Sequence, residues 1–271
     1  MIRVVHDAGA VLAPLLAAEA PGSDAIAGHL LATGHGRVWV DRWPGARVVA
    51  VEVADNWLVR GDPDAAAGAG LADVVQGFVD APPEFEPLLS SAADRFDTWD
   101  RVIMAMDLRP GGPASDTPLP PSALPPSALP PSSQPSGAEV RLLHSGDAGA
   151  VAALDPDLSW IAKTWGGPEG MASSGMAWGA FVGRRLASVA CTFFQGQRHE
   201  DIGVVTEPEF RRRGLSAAAS ARWCLDVQAR GRLPTWTTTP DNLGSLGTAR
   251  RLGFRHVRDG VIYLVGIGPP D

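Results

Sequence analysis

Three consecutive arginines, Arg211, Arg212 and Arg213, stand directly before Gly214, and the small residues Ser216, Ala217 and Ala218 follow at the start of an alanine-rich helical pattern. A glycine at such a turn lets backbone come close to a ligand, the first N–H groups of a helix point outward, and the helix dipole adds partial positive charge. Small side chains leave that first turn uncovered, and guanidinium groups pair with phosphate oxygens. The chemistry of the stretch is anion binding, with a pyrophosphate as the fitting guest. The formal charge of the whole chain is −7, so this positive charge is local. Bulk attraction to nucleic acid or to an anionic membrane is therefore not expected.

Other chemistry-bearing patterns are missing. The six histidines show no HExxH or HxH spacing, and no metal is expected. Cys191 and Cys224 lie in apolar surroundings without CxxC spacing, which reads as two buried thiols in a reducing, cytoplasmic compartment. Neither GxxxxGK[ST] nor a GxGxxG after a strand is present. No apolar run reaches the ~18 residues that span a bilayer. The apolar stretch 8–18, followed by Ala18-Glu19-Ala20, has the outline of a signal peptide. Asp7 offsets Arg3, Pro14 interrupts the stretch, and Val11, Leu12, Leu15 and Leu16 share one helical face, so an amphipathic first helix is the preferred reading.

The elements that hold the arginine loop divide around a linker. Residues 110–137 repeat the pentapeptide PPSAL and contain almost no core-forming side chain; proline fixes φ and removes donors, which predicts a solvated spacer. With 45% hydrophobic residues in 271, both flanks can build a core. The predicted units are 1–109, the linker 110–137, and 138–271. Before the linker the pattern gives a helix over 23–32, strands on either side of Trp43-Pro44-Gly45-Ala46, helices over 71–79 and 84–96, and a strand over 100–107. This is a small α/β unit without a chemistry-bearing motif. After the linker come a strand over 139–144, helices over 147–154 and 159–165, and strands beginning at Met176, Arg185 and Glu200. The long helix 215–230, a strand over 233–239, a helix over 242–253 and a closing hairpin or bent strand pair over 254–265 complete the chain. The sum is an α+β arrangement, a mixed sheet flanked by helices.

The pattern Arg211-x-x-Gly214-x-Ser216 resembles the pyrophosphate loop [QR]xxGx[GA] of the GNAT superfamily of acyl-CoA N-acyltransferases, with Ser216 in place of the final Gly or Ala. The strand EDIGVVTEPEF before it, the long helix after it, PTWTTT, Asn242 and RRLGF stand in the family's order, so the likeness covers 139–265. The first unit is similar to the degenerate GNAT-like domain fused in some two-domain members, and it lacks the arginine loop. The resemblance implies an N-acetyltransferase that uses acetyl-CoA as cosubstrate and a primary amine, on a small molecule or peptide, as acceptor. It implies direct attack in a ternary complex. No feature bears on oligomeric state.

Residue by residue, the resemblance gives backbone groups of Val204, Val205 and Thr206 to the pantetheine arm and to the thioester oxygen, where a donor aimed at the developing oxyanion stabilises the transition state. It gives Arg211, Arg212, Arg213, Gly214, Leu215, Ser216 and Ala217 to the diphosphate. Asn242 matches the Asn that meets the cofactor arm, and its type also suits a helix N-cap. Glu200 matches a general-base position, with Asp201 beside it on the opposite face of the strand. A second family base position is Thr237, which cannot serve. The Tyr that protonates the leaving thiolate is replaced by Ala249, and the sole tyrosine, Tyr263, lies in the last strand. A thiol with pKa near ~8.5 leaves without strong assistance, and Ser245 or a water takes the acid role. Trp160, Trp165 and Trp178, in and beside the segment 164–178, are candidate walls for an acceptor pocket.

Two other readings use the same residues. One is a GNAT-fold module that binds CoA without turnover, favoured by the missing Tyr. The other is a serine hydrolase in which Gly214 to Ala218 forms a nucleophile elbow at Ser216, with Asp241 and His256 following in hydrolase order. An elbow needs a buried strand just before its serine, and three arginines occupy that place.

Overall fold

The computed structural model describes residues 1–4, 8–106, 135 and 137–269; the proline repeats of the predicted linker lie outside them. The described strands are β1 (Ile2–Val4), β2 (Arg37–Val40), β3 (Val48–Val53), β4 (Asn56–Gly61), β5 (Gly77–Asp80), β6 (Phe96–Ala105), β7 (Ala138–Leu142), β8 (Ala177–Val182), β9 (Arg185–Gln195), β10 (His199–Thr206), β11 (Leu233–Thr238) and β12 (Arg255–Val265). All belong to one sheet, in the order β1-β2-β3-β4-β5-β12-β6-β11-β10-β9-β8-β7.

The order contains the same plan twice. β1 to β4 are antiparallel neighbours, β4 and β5 run parallel, and an antiparallel strand closes the set. β7 to β10, the parallel pair β10 and β11, and a closing antiparallel strand repeat it. The closing strands are exchanged. β6, which precedes the linker, pairs with β11, while β12 from the chain's end pairs with β5. β6 and β12 also pair with each other from Arg255↔Ala105 to Val265↔Phe96. The segments on either side of residues 110–137 thus each complete the other's part of the sheet.

Helices cover both faces. α1 (Ala8–Ala17) and α2 (Ala25–Thr33) bury Val11, Leu12, Leu16, Ile26 and Leu30. Long α7 (Leu215–Ala229) sets Leu215, Ala218, Ala219, Trp223, Cys224 and Val227 on the sheet, the three-to-four-residue spacing of one helical face. α8 (Leu243–Leu252) starts at Asn242, whose Oδ1 accepts the Ser245 N–H at 3.0 Å, and stops at Gly253 with φ 98°. Shorter pieces are α3 (Pro63–Gly68), α4 (Glu86–Ser90), α5 (Ala148–Ala152) and α6 (Pro168–Ser173), with a 3-10 helix at Pro156–Trp165.

Buried polar groups tie the first segment to the second. Glu19 accepts backbone N–H groups of Gln197, Arg198 and His199 at 2.7, 2.9 and 2.9 Å, so its carboxylate fixes the turn between β9 and β10. These bonds, with the His199 ring, draw its pKa below the ordinary value although burial opposes the change. His29 on α2 spans Thr164 O at 2.9 Å and the Gln195 N–H at 3.1 Å. The carbonyl needs a donor and the amide an acceptor, which fixes the neutral tautomer with hydrogen on Nε2. Burial holds its pKa down at about 4. Gly28 permits this crossing, since a Cβ there would lie 2.8 Å from Gly196 Cα.

Several sequence expectations change. Residues 71–79 form no continuous helix; a 3-10 turn at Leu71–Asp73 precedes β5. Gly77 has φ 119°, and a Cβ there would come within 2.3 Å of Asp55 O, so the chain breaks and turns into the sheet. The helix expected over 84–96 shrinks to α4, and β4 is a strand the reading missed. The segment 159–165 is 3-10, and 254–265 is one long strand with a register shift between His256 and Arg258. Cys191 and Cys224 are buried and unpaired. Among the described residues no helix is long and apolar enough to cross a membrane.

Candidate active site

The centre of the site is a gap in the sheet. β10 and β11 pair only through His199↔Leu233, Glu200↔Pro234 and Asp201↔Thr235, and beyond that point they part. On its other edge β10 stays paired with β9 as far as Thr206↔Ser188. The Glu207 N–H donates to Ala187 O, and antiparallel alternation then turns the peptide groups of Val205 and Gly203 toward β9. Those of Val204 and Thr206 point into the gap. Of the three predicted backbone positions, two therefore face the opening, and Val205 contributes a buried side chain on the far face.

Downstream of β10 the arginine loop leads into α7. Arg212 has φ 61° and Gly214 φ 76°, two left-handed residues flanking Arg213. A left-handed conformation is costly for arginine and natural for glycine. Alternation of this kind makes a concave nest of N–H groups, and the α7 N-terminus adds its own. Arg211, Arg212, Arg213 and Gly214 are exposed, Ser216 and Ala217 half-buried, and Leu215 buried as the first core residue of α7. Arg211 Nε donates to Thr206 O at 3.4 Å, and the Arg213 guanidinium stands 5.3 Å from the Phe210 ring centre. A Cβ on Gly214 would find nothing nearer than Pro135 Cγ at 4.0 Å, so the mouth of the nest is clear.

The two acids at the apex are on opposite faces and in opposite states. Glu200 lies on the α7 face with its side chain fully buried. Its oxygens accept from Arg230 Nε at 3.1 Å and Nη2 at 2.8 Å, Arg232 Nη1 at 2.9 Å and Thr192 Oγ1 at 2.5 Å. Arg230 and the other donors hold its carboxyl below the usual range against the opposing effect of burial. Four donors occupy the lone pairs that a substrate proton would need, so this geometry suits a packed counter-ion for Arg230 and Arg232 and does not favour the base role expected of Glu200.

Asp201 projects to the other face, where Thr235 and Thr237 donate to the same oxygen, Oδ1, at 2.7 and 3.1 Å. Oδ2 accepts no hydrogen bond among the described residues. Burial drives the Asp201 pKa up to about 6, only partly offset by the two threonines and by Arg101. The sequence signal was the consecutive acid pair. What it lacked was which face would be filled by arginines contributed from beyond the end of α7.

The remaining candidates separate cleanly. Asn242 is exposed and caps α8. Ser245 is half-buried on the first turn of α8, with Oγ accepting from Trp236 Nε1 at 2.9 Å. Ala249 is fully buried in the core around Trp223, so the position carries no acid, and Tyr263 is buried against Phe96. Trp165 donates to Thr192 O at 2.7 Å within the core, and Trp178 packs toward α7. Trp160 is 39% exposed and meets Phe193 edge-on. His256 bonds Asp259 at 2.8 Å, which gives it a partner outside the hydrolase arrangement. Among the described residues no three His, Cys, Asp or Glu side chains form a metal-sized group. Sequence reasoning missed Arg101 on β6. Burial lowers its pKa to about 10 while Asp201 and Asp241 act to raise it.

Comparison with known proteins bears on the family and the fold. The GNAT acetyltransferase family model matches residues 138–263. A Streptomyces virginiae protein described as an uncharacterized N-acetyltransferase in the mutA 5' region is 41% identical over 225 residues, covering 82% of this chain and 86% of that one. A crystal structure of a GCN5-related N-acetyltransferase-like protein from Streptococcus suis superposes with TM-score 0.64 at 17% identity, covering 93% of this chain and 96% of that one. A tandem GNAT protein from the clavulanic acid biosynthesis pathway covers 100% of this chain and 99% of its own, with TM-score 0.59 at 16% identity. At such identities the two structural likenesses speak to fold alone.

Proposed function

The chain belongs to the GNAT acetyltransferase family, and from that premise we propose that it transfers an acetyl group from acetyl-CoA to a primary amine by direct attack in a ternary complex. The observation that carries this reading is the parting of β10 from β11 directly beside the nest at Arg212 and Gly214. The nest and the start of α7 suit a diphosphate, and the opening beside Val204 and Thr206 suits an extended pantetheine arm with two strands' worth of backbone to bond it. A peptide N–H of Val204 or Thr206 is positioned for the oxygen that becomes negative as the amine adds.

Asp201 takes the base role in this proposal. It stands at the apex, has Oδ2 without a donor, and with a pKa of about 6 is mostly ionised at neutral pH yet basic enough to accept a proton from an ammonium. The acceptor nitrogen loses that proton to Asp201, forms the C–N bond, and the C–S bond breaks. The nitrogen's second proton, released as the amide forms, passes to the departing thiolate through water or the Ser245 hydroxyl, which takes up one proton as it gives up another; a thiol pKa of ~8.5 makes strong assistance unnecessary. The buried, unpaired thiols Cys191 and Cys224 fit a reducing, cytoplasmic setting. The non-catalytic alternative draws on one observation, the alanine buried at position 249.

Titration calorimetry with acetyl-CoA, followed by thiol release in the presence of amines, tests both. Gly214→Asp places a carboxylate at the nest and should weaken acetyl-CoA roughly 10- to 100-fold, with Arg212→Ala weakening it by about 3- to 10-fold. Unchanged affinity in both variants would remove the cosubstrate assignment. Binding without thiol release toward any amine would favour the non-catalytic reading.

A further inference from the structure

Arg101 is contributed by β6, the strand that the first segment lends to the second. Within β6 it shares a face with Ile103, since side chains alternate. Ile103 pairs with Thr237, whose hydroxyl donates to Asp201. Arg101 therefore stands on the Asp201 face of the sheet, away from α7. Its guanidinium carbon lies 3.1 Å from the centre of the Trp99 indole, and Trp99 leans on Phe78 with ring centres 5.8 Å apart. Stacking covers one flat side of the guanidinium and leaves the edge that carries its N–H donors.

Nothing among the described residues occupies that edge: Arg101 makes no hydrogen bond and no ion pair there. Asp201 and Asp241 are near enough to act on its charge, yet neither lies within ion-pair distance. Opposite Arg101, β12 presents Gly260, where a Cβ would come within 3.0 Å of Ile103 Cδ1 and 3.1 Å of Arg258 Nη1. Ile103 and the Arg258 guanidinium pack where that side chain would stand. Arg258 is itself anchored, its Nη2 donating to Pro21 O at 3.2 Å. A half-buried guanidinium without a partner, held rigidly by an indole, is a binding group awaiting a planar anion.

We propose that Arg101 holds a carboxylate of the acceptor, so that the substrate is an amino acid or another amine bearing a carboxylate. Its amino group is then directed at Asp201 and its carboxylate at the Arg101 edge. This assignment rests on the acetyl-transfer reading above. It also accounts for the exchanged strand, since the first segment supplies the specificity group and the second the donor site and base.

The assignment is tested by a thiol-release assay on the full chain with acetyl-CoA, in which each common amino acid is paired with the amine left by its decarboxylation. The wild type should favour the amino acid of at least one pair by ~10-fold or more in kcat/KM. Assayed at pH 8, where Asp201 stays ionised even after the neighbouring charge is lost, Arg101→Gln should raise KM for that amino acid by roughly 10- to 100-fold while kcat, and kcat/KM for the decarboxylated partner, stay within about 3-fold. Arg101→Lys, which keeps charge but loses the fork, should fall between them. Calorimetric affinity for acetyl-CoA should be the same in all three proteins, which also reports that the variants fold. Transfer to amines with no dependence on a carboxylate, or discrimination that survives Arg101→Gln, overturns the proposal and leaves acetyl transfer standing. No transfer to any member of the panel overturns both.

Discussion

The sheet opens twice, first beyond Leu58 between β4 and β5 and again beyond Asp201 between β10 and β11, and the two openings have had opposite fates. In the second, the apex carries a carboxylate and the chain runs through an arginine loop into the fifteen-residue α7. In the first, the apex residue Leu58 is core, and the strand runs within two residues into six-residue α3. Asp62 caps that helix by accepting the Asp64 and Ala65 N–H groups at 2.9 and 3.3 Å, so the donors that would meet an anion are spent internally and surrounded by negative charge. Arg60 fills the gap itself. Its Nη1 donates to Val59 O on one strand and Asp80 O on the other, and Nη2 pairs with Asp24 and Asp80 at 2.6 and 2.7 Å. One plan, used twice, is closed by a side chain bonded to both strands in the first half, whereas among the described residues Arg211 meets only Thr206 O at the other opening.

Asp201→Asn is the most severe way to make the second opening resemble the first. It should lower kcat/KM by roughly 10²- to 10⁴-fold and abolish the acidic limb of the pH profile near pH 6. Its effect on stability has the opposite sign. The folded pKa of about 6 exceeds the ordinary 3.8, so ionising Asp201 costs the native state increasingly between those values and by a constant amount above them. The variant, which keeps Oδ1 for the two threonines, should gain up to roughly 3 kcal/mol at pH 8 and nothing at pH 3.5, read by urea unfolding. A variant that loses activity together with stability at pH 8 would make Asp201 structural.

Glu200→Gln separates the neighbouring acids. Two arginines would lose their buried counter-ion, a cost of about 3–5 kcal/mol at neutral pH. Here the folded pKa is depressed, so the wild-type advantage is present above pH 4.5 and is lost as pH falls through the lower folded value. The difference between variant and wild type in urea unfolding should therefore shrink in acid. At a temperature where the variant is folded, its kcat should stay within about 3-fold of wild type, and a drop as large as that of Asp201→Asn would return the base role to Glu200.

The sequence made the second half legible because its signals are local. The loop, the small residues of α7 and the Asn242 cap are each read within a few positions of themselves. The first half was read less well. Leu71, Val74, Val75 and Phe78 have helical spacing, and only the contact of Gly77 with Asp55, twenty-two positions away, turns the segment into a strand. Strand exchange was invisible for the same reason, since β6 and β12 are ordinary strands wherever they pair. Choosing between Glu200 and Asp201 needed Arg230 and Arg232, thirty residues downstream. Finding Arg101 needed a strand from across the linker to be placed beside β11.

Arg60→Met addresses the first opening and has the smallest expected effect. The methionine keeps part of the stem's packing but leaves Asp24 and Asp80 without their cation and the Val59 and Asp80 carbonyls without their donor. The Arg60 side chain is 26% exposed, and water reaches the vacated groups, so the loss in urea unfolding should be about 1–3 kcal/mol, below that of Glu200→Gln. Acetyl-CoA should still bind once per chain with wild-type affinity, because clearing the gap restores neither a nest nor positive charge at Asp62 and Asp64. A second binding event in calorimetry would mean that Arg60 alone keeps the first half from being a site, and that the arginine loop is an aid to binding rather than its requirement.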